Sequence, residues 1–583
     1  MEYVVMTAAL ALFVLFIFVL ESVRAKKERE RFIQSLYENY GRLPNKQYTP
    51  ERFGRMGSFL GRHPEDGQID DITWNDLGMD ELFKRMDYTF SASGEEYLYY
   101  TLRTLKRDRE TLRHLEDVVE FFDGHADERV QIQFAMNQLG HMGKYSLYDY
   151  LDHLDILGER SNRKNILFDL LFLPLIGMLW INFSMGILGI VVLIIYNIIS
   201  YFKEKGEIDP YITSFSYIMR LMGTVEALEK ISVPVCKEEW DELRRHRKSL
   251  RAMQKNSYWV MSPFRGNSSG NIPEVIMDYI RMVFHADLIK FNSMLKFLRG
   301  HVEDVDGMLK VTGYVETAIA VGAFRRSLQN GFCVPEFTRE TEDLPGEKKL
   351  TGKLQKGIVQ APVMDGIRMT EGYHPLLETP VKNSISAKKG VLLTGSNASG
   401  KSTFLKTVAI NAILAQTIHT CAAESYKTPF FYVYSSMALR DDLAGGESYY
   451  IVEIKALKRI LDAAGSGKKP VLCFVDEVLR GTNTVERIAA STQILKSLSG
   501  SGILCFAATH DIELTELLSG EFENYHFEED VRDGDVYFNY RLQAGNATTR
   551  NAIRLLELIG YDSEIIERAS AQAAQFMSKG VWE

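Results

Sequence analysis

Residues 391–402 read VLLTGSNASGKS, and this stretch decides the fold of the C-terminal part of the chain. Its first four residues are a short apolar run, typical of a buried parallel strand. The loop that follows has the spacing GxxxxGK[ST], and residues 404–418 then show a helical pattern. This order predicts a phosphate-binding loop, because glycines let backbone N–H groups curve around an anion at a helix N-terminus.

The loop residues form the candidate nucleotide-binding set. Lys401 is expected to contact the β- and γ-phosphates of ATP, and Ser402 is expected to ligate Mg²⁺. The alternative, an unoccupied glycine-rich turn, is disfavoured by the strand and the helix on either side. The full set is Gly395, Ser396, Asn397, Ala398, Ser399, Gly400, Lys401, Ser402 and Thr403.

Two further apolar runs end in polar residues that would complete such a site. Residues 470–475 lead into Asp476 and Glu477, and residues 503–508 lead into His510. The carboxyl ends of parallel strands meet at one edge of a sheet, so these side chains are expected near the loop. We expect Asp476 to hold Mg²⁺ through water, and Glu477 to orient or deprotonate the attacking water. His510 is expected to reach the γ-phosphate or that water; a structural histidine is the alternative.

Five segments occur in a fixed order: GSNASGKSTFLKT (395–407), DDLAGGESYYIVEIKALKRIL (441–461), VLCFVDEVLRGTNT (471–484), FAATHDIEL (506–514) and YRLQAGNATTRNAIRLLELIGY (540–561). Together they resemble the ATPase domain of the MutS family of mismatch-repair proteins, within the ABC ATPase superfamily. Two earlier segments, 86–105 and 308–338, are similar to the parts that open and close the family's helical core and lever region. The resemblance implies an α+β multidomain fold with an all-α core and lever region and a C-terminal α/β P-loop ATPase domain.

The resemblance also implies a dimer, because in such ATPases a signature segment contacts the γ-phosphate bound by the opposite subunit. Gly445, Gly446 and Ser448 occupy that segment, so Ser448 is expected to act in trans in a homodimer. A helix N-terminus with a hydroxyl suits this role, since it would close an open anion site. Residues 481–484 match the family's loop that crosses the dimer interface.

Other matches are expected beside the nucleotide. His374, Pro375 and Asn383 lie where the family has its nucleotide-flanking residues. Tyr540 is expected to stack on adenine, and the equally weighted alternative is a half-buried aromatic residue of a strand.

Three apolar segments predict membrane-spanning helices. Tyr3–Leu20 carries no charge and as a helix reaches ~27 Å, close to the ~30 Å of a hydrocarbon core. A cleaved signal peptide is the alternative, but the basic residues follow the run and do not precede it. Residues 166–202 are too long for one span, and Pro174 and residues 182–184 are expected to break them into a hairpin. A buried core hairpin is the alternative there.

The charges beside these segments predict the topology. Basic residues follow the first run and flank the hairpin on both sides, so the positive-inside rule places the soluble regions in the cytoplasm of a multi-pass cell-membrane protein. Residues 42–71 are rich in Gly, Pro and Asp and are expected to be loop. The expected organisation is a membrane anchor (1–23), a cytoplasmic linker (24–85), a helical core and lever domain (86–340) with the hairpin at 166–202, and an ATPase domain (350–583).

Composition bounds the possible partners. The chain has 583 residues, and 68 Lys and Arg against 77 Asp and Glu give a net charge of -9, so any nucleic-acid surface must be local. Five scattered cysteines without metal-ligand spacing indicate a reducing compartment and no structural zinc. A basic cluster followed by Tyr258, Trp259 and Arg265 is the best candidate for contacting DNA, although it could equally face lipid headgroups or solvent. The cluster is Arg244, Arg245, Arg247, Lys248, Arg251 and Lys255.

These patterns leave two functional hypotheses. The first is a membrane-anchored, dimeric ATPase whose helical levers enclose DNA. The second is an ATP-driven membrane scaffold that acts on a protein partner without nucleic acid. Only 85 residues precede the first core-like segment, and we find no Phe-x-Glu suited to a mismatch wedge. We therefore expect a family member that lacks the mismatch-recognition domain.

Overall fold

The structure is a computed structural model, and its chain divides into two units. The first unit comprises residues 1–64, 86–100 and 117–326, and the second comprises residues 65–85, 101–116 and 327–583. This division differs from the expected one, because two short stretches before residue 117 belong with the C-terminal part. The structure describes residues 2–143, 145–254, 279–338, 366–396, 399–437, 449–465, 470–480, 482–500, 502–532, 535–546, 553, 556 and 560–579.

The first unit is built of α-helices, as the 3.6-residue apolar periodicity predicts. The apolar sides of its helices are buried, and the fully buried side chains include Phe122, Phe215, Phe291 and Phe324. The helices that lie wholly within it are Glu2–Glu38, Pro50–Arg62, Ala126–Leu139, Leu147–Leu151, Arg163–Leu170, Phe172–Ile181, Phe183–Leu228, Lys237–Gln254 and Ala286–Leu298. Ala92–Arg103 and Val302–Ser327 belong to it in large part, and Arg109–Gly124 is shared equally between the two units.

The apolar stretch 166–202 forms the expected pair of helices. The chain breaks at Asn182, whose side chain accepts a hydrogen bond from Met185 N at 3.2 Å and so caps the second helix. Pro174 lies in the first turn of Phe172–Ile181, where a missing N–H is tolerated, and the preceding helix Arg163–Leu170 ends just before that turn. The two helices approach closely, since a Cβ on Gly186 would lie 2.9 Å from the backbone nitrogen of Leu179.

Two helical stretches, Arg163–Ile181 and Phe183–Asp209, are long and apolar enough to cross a membrane by length and composition. Much of their apolar surface is exposed: Trp180 and Ile181 at the tip are 90% and 87% exposed. The first predicted span, Tyr3–Leu20, lies in the helix Glu2–Glu38, but most of its side chains fall outside the described residues. That span therefore stays a prediction.

The carboxylate in the hairpin has polar partners. Asp169 Oδ1 lies 3.2 Å from Nδ1 of the buried His285 and accepts a hydrogen bond from Asn197 Nδ2 at 3.4 Å. The same amide group donates to Val283 O at 2.9 Å. A charge within an apolar segment is expected to be paired in this way, because an unpaired one is costly to desolvate.

The prediction of a loop over residues 42–71 was wrong for its middle part. Pro50–Arg62 is a helix, and Thr49 caps it by accepting from Arg52 N at 3.3 Å. Met56 and Phe59 bury its apolar side. The Thr-Pro pair at 49–50 is a helix start signal that outweighs the local glycines. The expected linker 24–85 is likewise folded in its last part, where Asp71–Leu77 and Met79–Met86 are helices.

The second unit contains two sheets. We number its strands β1 to β10 along the chain. The larger sheet has the order β10-β9-β4-β8-β7-β6 and is parallel except for the β9–β10 hairpin; the smaller sheet has the order β1-β5-β2-β3. The strands are β1 Glu336–Phe337, β2 Ile367–Gly372, β3 Asn383–Ala387, β4 Gly390–Thr394, β5 Ser425–Thr428, β6 Tyr432–Ser436, β7 Val471–Asp476, β8 Ile503–Ala508, β9 Phe522–Arg532 and β10 Asp535–Ala544.

Helices cover the larger sheet. Its central strands are buried except for the first residue of β8, as their continuous apolar sequences predict, and Leu457, Ile460 and Leu495 of the helices pack into the same core. The mixed α/β character expected for this part of the chain is thus confirmed. The helices of the second unit after residue 327 are Lys401–Ile418, Tyr449–Gly465, Thr484–Ser497, Glu513–Leu517 and Ser563–Lys579.

Candidate functional site

The candidate site lies at the carboxyl edge of the larger sheet. Leu393 of β4 and Asp476 of β7 both pair with Ala508 of β8, so these three parallel strands end side by side. The Thr509 N–H donates to Leu393 O at 2.9 Å and extends the alignment by one residue. The register therefore brings the glycine loop, the acidic pair and His510 to one place, as the sequence predicts.

Two glycines give the loop its shape. Gly395 has a φ of 142° and Gly400 a φ of 107°, values that favour glycine. A Cβ on Gly395 would lie 2.8 Å from Phe527 O, so this position also has no room for a side chain. Gly400 directly precedes the helix Lys401–Ile418, and its carbonyl accepts the first helical hydrogen bond, from Phe404 N at 2.9 Å.

Lys401 is buried inside the loop. Its Nζ donates to the carbonyl oxygens of Gly395 and Ser396 at 2.8 and 2.7 Å and lies 3.5 Å from His510 Nε2. Burial lowers the pKa of the Lys401 amine, and the nearby carboxylates of Asp476 and Glu477 oppose that shift. The ammonium group thus stands where the loop backbone converges.

Ser402 and Asp476 meet across the site. Ser402 Oγ donates to Asp476 Oδ2 at 2.5 Å, and the Asp476 side chain is 8% exposed. A hydroxyl oxygen and a carboxylate oxygen are hard donors of the kind that Mg²⁺ prefers. The two residues predicted to serve Mg²⁺ are therefore adjacent.

The Glu477 carboxylate contacts two side chains, those of His510 and Arg480. Its Oε1 lies 2.9 Å from His510 Nε2, and its Oε2 lies 2.5 Å from Arg480 Nε. Burial raises the pKa of the Glu477 carboxyl, but the hydrogen bond with His510 and the charge of Arg480 outweigh burial and hold that pKa below its usual range. Glu477 is therefore a carboxylate at neutral pH, oriented from both sides.

The backbone that carries Glu477 is strained. Glu477 and Leu479 have φ values of 60° and 58°, which non-glycine residues rarely adopt. Glu453, a buried residue of the helix Tyr449–Gly465, accepts a hydrogen bond from Leu479 N at 2.6 Å and so supports the turn. Strain of this kind persists where the surroundings fix it, and it is common at functional sites.

Tyr540 lies on an irregular part of β10. The register of the β9–β10 hairpin shifts between Phe538 and Leu542, and Tyr540 has a φ of 53°. Asn383 of β3 spans the irregularity: its Nδ2 donates to Tyr540 O at 2.9 Å and its Oδ1 accepts from Leu542 N at 2.8 Å. The Tyr540 ring comes close to the loop, since a Cβ on Gly400 would lie 3.1 Å from its Cδ1.

These residues line one cavity of about 630 Å³, a volume suited to a nucleotide-sized ligand. His374 is also in its wall, and burial, followed by the charge of Lys406, lowers the pKa of His374 to about 4. His374 is therefore neutral at physiological pH. The rest of the polar and charged lining is Thr379, Asn383, Ser399, Lys401, Ser402, Thr403, Thr407, Asp476, Glu477, Arg480, His510 and Tyr540.

Several expected site residues lie outside the described residues. They are Asn397, Ala398, Gly445, Gly446, Ser448 and Gly481, together with Lys255, Tyr258, Trp259 and Arg265 of the basic region. Asn483 is described, and its side chain caps the helix Thr484–Ser497 by accepting from Val485 N at 2.9 Å.

Sequence reasoning missed two charged residues of the site. Arg480 follows Glu477 by three positions, a spacing that can join a cation to a carboxylate. Glu529 of β9 accepts a hydrogen bond from Ser396 Oγ. No local signal points to Glu529, because it reaches the loop only through the pairing of β4 with β9.

The basic cluster of the first unit is partly neutralised. Arg247 is paired in a bidentate manner with Glu229, at 2.9 and 2.6 Å, and Arg244 is paired with Asp241. The bond with Glu229 raises the pKa of Arg247. Of the described members of the cluster, Arg245, Lys248 and Arg251 are exposed and keep their charge available to a ligand.

In the second unit a strand is followed by a glycine-rich loop and a helix, and an acidic pair lies on a neighbouring parallel strand. This is the arrangement of the phosphate-loop class of nucleotide-binding domains. The family model of MutS domain V matches residues 391–577, which include all of these elements. Over these residues the chain is therefore similar to the MutS family, and the match lies in its second unit.

Individual relatives agree with this assignment. The chain is 33% identical over 210 residues to the DNA mismatch repair protein MutS of Thermus thermophilus, a match that covers 35% of this chain and 26% of the relative. It is 32% identical over 262 residues to MutS of Thermus caldophilus, covering 44% and 32%. For MutS of Natronomonas pharaonis the identity is 34% over 218 residues, covering 35% and 25%. The chain thus matches about a quarter to a third of the length of these relatives.

Proposed function

We propose that the cavity of the second unit binds Mg²⁺·ATP and hydrolyses it. The observation that carries this proposal is the convergence of the Lys401 amine, the Ser402–Asp476 pair and the Glu477–His510 pair on one cavity. Phosphoryl transfer to water requires three parts: a cation that binds the phosphates, donors that ligate the metal ion, and a carboxylate that orients the attacking water.

The donors next to the loop fit magnesium. Ser402 Oγ and Asp476 Oδ2 would hold the ion, directly or through water, in place of the hydrogen bond that now joins them. When bound, Mg²⁺ supplies positive charge that offsets the charge of the phosphate oxygens. The protein contributes the position of both oxygens, fixed by the helix Lys401–Ile418 and by β7.

The remaining residues bind the phosphates and activate water. Lys401 and the loop N–H groups would bind the β- and γ-phosphates. Glu477 would accept a proton from the attacking water or orient it, with His510 fixing the Oε1 side of the carboxylate. The hydrogen bond with His510 and the charge of Arg480 hold the pKa of Glu477 below its usual range, so Glu477 is a carboxylate at neutral pH. Tyr540 and Asn383 would border the base and the sugar.

Replacement of Lys401 tests nucleotide binding. Charge-assisted hydrogen bonds are worth roughly 1.5–3 kcal/mol, so Lys401→Ala should weaken ATP binding about 10- to 100-fold. Fluorescent ATP titration of the detergent-solubilised chain measures this, and Lys389→Ala, at an exposed lysine outside the cavity, is the matched control. Unchanged affinity in Lys401→Ala would refute the assignment of the loop.

We further propose that two copies act together, with Ser448 of each completing the site of the other. This rests on the resemblance of residues 441–461 to the family's signature segment. We also propose that the hairpin 166–202, with the anchor at Tyr3–Leu20, holds the protein in a cell membrane with both units in the cytoplasm. The exposed apolar tip at Trp180 and the basic flanks at Lys164 and Lys205 support insertion of the hairpin.

DNA is the proposed macromolecular partner. Arg245, Lys248 and Arg251 lie three residues apart on the helix Lys237–Gln254 and are exposed, so they can contact successive phosphates. The logarithm of the DNA association constant falls linearly with the logarithm of the salt concentration, and neutralising all three residues should make that slope shallower by about 3. Neutralising Arg244, already paired with Asp241, should change the slope little. A wild-type protein that binds no duplex or branched DNA at low salt, with or without ATP, would support the alternative function, a membrane scaffold for a protein partner.

A further inference from the structure

The smaller sheet of the second unit carries a row of charges across its strands. Lys427 of β5 pairs directly with Arg368 of β2, and Arg368 pairs with Ser386 of β3. Directly paired residues project on the same face of a sheet. Two cations and a hydroxyl therefore stand side by side, and Glu336 of β1, opposite Lys427, is the carboxylate of this row.

The charges in this row do not balance. Glu336 pairs with Lys427 at 2.7 Å. Arg368 and Lys388 form no ion pair within the part of the chain that the structure describes. Like charges directly opposite on antiparallel strands destabilise a sheet, so the Arg368–Lys427 pair is a local cost to folding. An anion placed between the cations would remove that cost.

The same residues enclose a groove of about 290 Å³. Thr338 lines it, is 8% exposed, and its Oγ1 has no hydrogen-bond partner among the described residues. A buried hydroxyl without a partner costs free energy, and it can donate to a ligand oxygen. The full lining is Thr338, Gly366, Ile367, Arg368, Ser386, Lys388 and Lys427.

We propose that this groove, which we call the β-sheet anion site, binds the phosphate group of a small phosphorylated ligand. Arg368 and Lys388 supply charge, and the hydroxyls of Thr338 and Ser386 supply neutral hydrogen bonds, a donor set that suits a tetrahedral dianion. The site is separate from the nucleotide cavity. The cavity is lined by Gly372 and Asn383, at the opposite ends of β2 and β3 from the groove.

The test uses the full chain with the nucleotide cavity weakened by Lys401→Ala, so that phosphate binding there contributes little to the signal. Isothermal titration measures the binding of inorganic phosphate and of glycerol 3-phosphate, which separate free phosphate from a phosphomonoester. In this background Arg368→Gln and Lys388→Gln should each weaken binding about tenfold, the loss expected for a charge-assisted hydrogen bond. Lys389→Gln makes the same charge change one residue beyond Lys388 and outside the groove, so it should leave binding unchanged.

Thr338 provides a test that involves no charge. Thr338→Val removes only the hydroxyl and should weaken binding several-fold, whereas Thr338→Ser should restore it. Circular dichroism verifies that each variant is folded. The proposal is overturned if neither phosphate compound binds, or if Lys389→Gln weakens binding as much as Lys388→Gln, since that would indicate general attraction to surface lysines. Because the assay is done without a working nucleotide cavity, it is independent of the proposed ATPase activity.

Discussion

Asn383 is predicted to fix the irregular part of β10 and thereby the position of Tyr540. Asn383→Ala removes two hydrogen bonds, one to Tyr540 O at 2.9 Å and one from Leu542 N at 2.8 Å. A hydrogen bond of this kind contributes about 0.5–1.5 kcal/mol net, so the two together amount to roughly 1–3 kcal/mol. The lower half of that range is expected, because both partners are partly exposed and water can replace the lost side chain.

Hydrogen exchange measures this effect locally. If one bond protects the Leu542 amide, its loss should speed exchange of peptides over residues 538–545 about 2- to 12-fold. Asn383→Asp is the matched control, because it keeps the acceptor for Leu542 N and loses the donor to Tyr540 O. Both variants should weaken ATP binding, since Tyr540 loses its anchor in each. The reasoning is refuted if Asn383→Ala changes neither the exchange nor the affinity for ATP.

Three other substitutions follow from the structure. Arg480→Gln removes a cation that lowers the pKa of Glu477, so the acid limb of the ATPase pH profile should move to higher pH. If the acid limb does not move, Glu477 is not the residue that activates water. The pKa of His374 is about 4 in the folded state and 6.5 in the unfolded state. As the pH falls, the unfolded state therefore takes up a proton first, and the free energy of unfolding should decrease by about 3 kcal/mol in total between pH 6.5 and 4. Denaturant unfolding of His374→Gln should not show this decrease. Gly186→Leu should separate the hairpin helices in spin-label distance measurements, whereas Gly177→Leu, which meets open space, should not.

The sequence was sufficient for the parts of the site that follow from local pattern. β4, β7 and β8 are continuous apolar runs, and the polar residues after them had to meet because parallel strands share an edge. The helical hairpin could be predicted for a similar reason, since a 37-residue apolar stretch exceeds one span.

The rest of the site depends on long-range pairing. Glu529 reaches Ser396 only because β9 adds to the edge of β4, and no short-range signal encodes that choice. The position of Tyr540 depends on a register shift and on Asn383, which is distant in the sequence. The helix Pro50–Arg62 was missed for another reason: its glycines suggested a loop, while its cap at Thr49 and its buried Met56 decide for a helix.

The most direct test of the central claim is sedimentation of the Glu477→Gln variant in detergent with Mg²⁺·ATP. If Glu477 activates water and two chains close on the nucleotide, the variant should bind ATP, release no phosphate and sediment as a dimer, while the same protein without nucleotide should sediment as a monomer. A variant that hydrolyses ATP at the wild-type rate, or that stays monomeric with ATP saturating its cavity, would contradict the account.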